Sequence, residues 1–152
     1  MNRLWASAAW LVAAGLAIAG SLVTINSYRT PYETLTSSTW TMKITPAVDH
    51  LTQPWQGFGL AVAAGLLAVA AAVRLSRTRQ PLSRLVGIYG TGVLCAVTVG
   101  VLDWFRILMP NDRLPPGFVA ESGPAMWFLV AASALAIAAV GLSLVPRTEQ
   151  SG

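Results

Sequence analysis

Four apolar blocks, each close to 20 residues long and almost free of charge, decide what this chain can become. A helix needs roughly 20 apolar residues to cross about 30 Å of hydrocarbon, and in hydrocarbon the backbone must satisfy its own N–H and C=O groups. The blocks therefore predict four transmembrane helices, at about residues 4–25, 55–73, 85–102 and 125–145. Composition agrees, with 55% hydrophobic and 11% charged residues against about a quarter charged in soluble domains. The expected fold is an all-α, four-transmembrane-helix bundle forming a single domain over residues 1–152. The first block follows Arg3 and holds Ala17-Ile18-Ala19, which looks like a signal-peptide cleavage site. Its apolar run continues through Leu22, Val23 and Ile25, so it reads as a retained span.

The connections set the expected orientation. Positive residues flanking spans are held on the cytoplasmic side. Arg3, Arg74, Arg77, Arg79, Arg84 and Arg147 fall on the amino terminus, the short loop 74–84 and the tail. The longer loops 26–54 and 103–124 carry Arg29, Lys43, Arg106 and Arg113 mixed with Glu33, Asp49, Asp103, Asp112 and Glu121. Both termini are thus expected in the cytoplasm and the two long loops outside. Within the first outer loop, Tyr32 to Pro46 is rich in Thr and Trp and roughly alternates at Leu35, Trp40, Met42 and Ile44, which predicts a short β-like segment or hairpin. Too short to bury a core alone, it must rest on the helix ends, the bilayer interface or another chain. Pro110 to Pro124 reads as a proline- and glycine-rich loop leading into the fourth span.

Several chemistries are argued against. The formal net charge of +4 comes from arginines beside apolar spans rather than from a basic stripe, so nucleic acid is not an expected partner. A single cysteine, Cys95, can build neither an intrachain disulfide nor a cysteine-based metal site. Ionisable groups inside a bilayer usually mark ion paths or relays, and the interiors of the four predicted spans hold none. The one histidine, His50, falls in an outer loop, whereas a membrane haem needs axial ligands within the spans. The outer acids with His50 could in principle do acid–base work, yet their spacing fits no catalytic or metal pattern. No catalysis, cofactor or metal is expected.

Small residues are the clearest positive signal, because helices in lipid associate by close backbone approach. Gly92, Ala96 and Gly100 recur every four residues, as do the pairs Ala61 with Gly65 and Ala134 with Ala138. This pattern predicts helix-packing faces, within the bundle or toward a partner; the plain alternative is that Ala and Gly are simply frequent here. Trp40, Trp55, Asp103, Trp104, Phe105, Arg106, Phe118 and Trp127 are candidate partner or interface residues, against the plain reading of an aromatic belt with an Asp103–Arg106 pair one helical turn apart. Arg74, Arg77, Arg79 and Arg84 set topology and could bind anionic lipid headgroups.

Nine of the ten basic residues are Arg and Ala is abundant, a pattern of GC-rich coding that fits a bacterial source. The Ala-rich spans, the Arg-rich turn Arg74 to Arg84 and the outer segment Gly123-Pro124 resemble small four-span proteins of actinobacteria. Some of these are accessory subunits of cell-envelope machinery, such as the mammalian-cell-entry lipid importers. The resemblance is one of architecture and implies no particular functional residue. It implies a non-catalytic accessory subunit in the bacterial plasma membrane, with membrane lipids and a larger membrane complex, a cell-envelope or lipid transporter, as partners. The alternatives are a stand-alone lipid or small-molecule transporter acting as a homo-oligomer, and an accessory subunit of a respiratory complex.

Overall fold

The computed structural model describes residues 2–45, 50–52, 54–76, 80–108, 117 and 119–145. Their order is α1 (Asn2–Leu22), β1 (Asn26–Arg29), β2 (Thr34–Ser37), β3 (Thr41–Thr45), β4 (His50–Thr52), α2 (Pro54–Leu75), α3 (Gln80–Leu108), β5 (Val119–Ser122) and α4 (Ala125–Leu144). All four helices are long and apolar enough to cross a membrane, which fits a multi-pass membrane protein.

The helices form a ring in which α2 packs on α1 and α3, and α4 packs closely on α1 and more sparsely on α3. One end of the bundle carries the sheet, the other the helix termini nearest the chain ends. Small side chains build the seam: Ala13, Ala17, Ala63, Ala70, Ala71, Ala132, Ala136 and Ala139 are fully buried, interleaved with Leu60, Leu67, Leu94 and Leu129. Large side chains such as Leu4, Val62, Val99 and Ile137 face outward. In water this would be an inverted protein; in lipid an outward leucine loses nothing, and stability comes from close helix contact instead. Hydroxyls in the helices are satisfied within the bundle. Thr91 donates to the Gly87 carbonyl and Ser143 to that of Val140, Ser83 crosses from α3 to the Ala70 carbonyl of α2, and Thr98 bonds Ser133 between α3 and α4.

Two expectations are corrected. The chain is not all-α: it carries an antiparallel five-stranded sheet in the order β4-β3-β2-β1-β5. The predicted β-like segment supplies β2 and β3, with Leu35 opposite Ile44. The supposed proline–glycine loop supplies β5, which pairs residue for residue with β1 from Asn26↔Ser122 to Arg29↔Val119. Helix limits also move. The first helix stops at Leu22 rather than 25, and Ile25 is a buried core residue just before β1, its N–H donating to the Ser37 carbonyl. The third begins at Gln80 and continues to Leu108, so much of the expected inner loop 74–84 is helical and Asp103 to Arg106 lie in one helix.

Candidate functional site

The sheet is fastened to the bundle at the β2–β3 turn. Ser38 forms a compact hydroxyl-braced turn, accepting from the backbone N–H of Trp40 and Thr41. That turn presents Thr39, fully buried, to two helix ends at once. The first four N–H groups and last four C=O groups of a helix lack intrahelical partners. Thr39 supplies one of each: its hydroxyl donates to the Ser21 carbonyl in the last turn of α1, at 2.8 Å, and its carbonyl accepts from Gly57 N–H in the first turn of α2, at 3.2 Å. Trp40 fills the space that Gly57 leaves, since a Cβ at Gly57 would fall inside the indole, and meets Phe58 edge-to-face at 5.6 Å. A second fastening joins the chain before β1 to the chain after β5, with Gly123 N–H donating to the Ile25 carbonyl at 2.6 Å and Ala125 N–H to that of Thr24.

Strand register sorts the sheet into two faces, because residues directly opposite one another share a side. One face holds the row Lys43, Thr36, Ser27 and Glu121, flanked by Thr45, Thr34 and Arg29. The other holds Ile44, Leu35, Tyr28 and Ala120.

The expected helix-packing residues turn out to face away from the bundle. Ala61, Gly65, Gly92, Ala96, Ala134 and Ala138 are exposed and Gly100 half-buried; a Cβ added at Gly65, Gly92 or Gly100 would meet nothing within 4 Å. The close approaches inside the bundle are made by other glycines. Gly90 abuts Leu66 and Leu67, Gly59 abuts Val97, Gly20 abuts Phe128 and Leu129, and Gly87 receives the indole of Trp10. A four-residue rhythm fixes which residues share a face but not the direction in which that face points.

At the terminal end, Trp10 is fully buried and reaches across the bundle to Gly87. The Arg74 guanidinium lies over its ring, 5.7 Å from the centroid. Arg74 follows the predicted second span and sits in the last turn of α2, yet it is only 9% exposed. A helical side chain leans toward its own helix N-terminus, which for Arg74 is into the bundle, and the indole face then receives the cation. Arg84, one turn into α3, is half-buried with an Nε–H that finds no acceptor among the described residues.

Of the candidate interface residues, Trp40 is engaged within its own chain, whereas Trp55 and Trp127 are exposed at 56% and 75% near the sheet end. Asp103 is exposed on α3. Trp104, Phe105 and Arg106 are described as helical backbone only, and Arg77, Arg79 and Phe118 lie outside the described residues. Among the described residues no group of three or more His, Cys, Asp or Glu could hold a metal ion. Sequence reasoning missed Thr39, Gly57 and Gly87; the run Ser38-Thr39-Trp40-Thr41 was the available signal for the turn, since a hydroxyl beside a turn commonly bonds backbone. No protein-family model matches this chain, and no curated protein matches it.

Proposed function

We propose that this chain is a non-catalytic accessory subunit that docks on and stabilises a larger membrane complex, a cell-envelope or lipid transporter, in the bacterial plasma membrane with both termini cytoplasmic. One observation carries the reading: Gly92, Ala96 and Gly100 form a stripe of small residues along α3 that the bundle does not use. Such a stripe lets a second helix approach backbone to backbone in lipid, and here the chain closes its own seam with other residues. Support also comes from the middle of the bundle, where packed alanines and leucines and internally bonded hydroxyls serve cohesion.

The test is purification of the tagged full-length chain from its native membrane in mild detergent. The expected result is a stoichiometric membrane partner that is lost when Gly92 and Gly100 are replaced by Leu, while thermal unfolding of the isolated chain is unchanged. A wild-type chain that emerges alone, or as a homogeneous oligomer stabilised by an added small ligand, overturns the reading and favours a stand-alone transporter.

A further inference from the structure

Where the end of α1 meets the polar face of the sheet there is a cavity of about 260 Å³, lined by Leu22, Thr24, Thr36, Ser38, Thr41 and Lys43 among others. Thr36 and Lys43 are directly opposite across β2 and β3, so both side chains rise from one face. Ser38 and Thr41 spend their hydroxyls on each other and on the turn. The side chains of Thr24, Thr36 and Lys43, by contrast, make no hydrogen bond or ion pair with any described residue. A cation and two hydroxyls without a partner among the described residues thus share one recess, and no carboxylate is among its described lining. Along the same row Glu121 stands three strands from Lys43, about 14 Å at the usual strand spacing. An anionic ligand rich in acceptors fits this lining best, and a phosphate group is the compact form of such a ligand.

The mouth of the recess indicates what else that ligand carries. Leu22 is 73% exposed at the outer end of α1. Below it on the same helical face come Ile18, 51% exposed, then Gly15, then Leu11, 48% exposed. A Cβ at Gly15 would meet nothing within 4 Å, so the stripe has an open notch midway. An apolar track therefore leads from a polar recess down a span.

We propose that this recess binds the phosphate headgroup of an anionic phospholipid from the leaflet on the sheet side, with an acyl chain lying along Leu22, Ile18 and Gly15. The site is on α1, diagonally across the bundle from the α3 stripe, so it stands apart from the docking role and can fail without it.

The test uses the purified full-length chain in a neutral detergent, with phosphatidylglycerol, phosphatidylcholine and soluble glycerol phosphate as probes, bound species being counted by native mass spectrometry. Wild type is expected to hold phosphatidylglycerol in preference to phosphatidylcholine. Lys43→Glu should weaken that binding by at least about tenfold, the scale of one charge-assisted hydrogen bond, and Lys43→Arg should retain it. Thr24→Phe, which fills the mouth, should give the same loss by a steric route, with lipid-free thermal unfolding unchanged in all three variants. Undiminished phosphatidylglycerol binding by Lys43→Glu overturns the proposal. Glycerol phosphate binding as tightly as the lipid also overturns it, by assigning the recess to a free phosphate ester.

Discussion

At the scale of single residues, the instructive contrast is between glycines on the same helix. Gly87 and Gly92 are both in α3, five positions apart, and nothing in the local sequence ranks one above the other. Gly87 is buried because the Trp10 indole occupies the volume where its side chain would be; Gly92 faces outward with no atom near. Gly87→Ala must displace a fully buried indole and the Arg74 cation stacked on it, so a loss of about 1–3 kcal/mol is expected from overpacking. Gly92→Ala in the isolated chain should be neutral or slightly stabilising, because alanine restricts the unfolded backbone without meeting a neighbour. Reversible unfolding of both variants in mixed micelles checks this, and equal destabilisation of the two would contradict the packing described. The four-residue spacing of Gly92, Ala96 and Gly100 was plain from the chain. Their outward direction was not, since it depends on where α2 and α4 lie around α3.

Helices and strands differ in how far local sequence reveals them. A span is written in about 20 consecutive residues, so it could be located without knowing its neighbours. The β2–β3 hairpin was half visible for the same reason: its alternating Leu35, Met42 and Ile44 are close together in the chain. Strand β5 was not visible. Val119–Ser122 has no alternating pattern and becomes a strand because β1, more than 85 residues earlier, offers an edge to pair with. What holds this sheet in place is also a matter of elements, since the Thr39 turn serves the open ends of two helices at once. Thr39→Val keeps the shape but removes the donor to the Ser21 carbonyl. A buried acceptor left unpaired costs about 1–3 kcal/mol. The expected outcome is faster amide hydrogen exchange, by about tenfold or more, confined to residues 34–45 while the helices keep their protection. Uniform acceleration across all four helices would instead mean that the sheet and bundle unfold as one unit.

For the molecule as a whole, four helices in antiparallel sequence leave the start of α1 and the end of α4 on one side of the bundle and the sheet on the other. Which side faces the cytoplasm follows from charge rather than from shape. The terminal end gathers Arg74 and Arg84, with Arg3, Arg77, Arg79 and Arg147 in the adjoining sequence, while four of the six acids belong to the two connections that carry the strands and a fifth, Asp103, is near the far end of α3. Translocating short arginine-rich segments is disfavoured, so the proposed orientation has the terminal end inside. Cysteine accessibility decides the matter directly. In a Cys95→Ser background, Thr45→Cys puts a thiol on an exposed position of β3 and Ser151→Cys puts one on the tail. A membrane-impermeant maleimide should label Thr45→Cys in intact cells and Ser151→Cys only after the membrane is opened. The reverse pattern would invert the orientation, carrying the recess at Lys43 to the cytoplasmic leaflet and the Arg74–Trp10 stack to the outer one. Both sites would then meet a different set of headgroups, so orientation determines which lipids each can reach, even though the fold that builds them is the same either way.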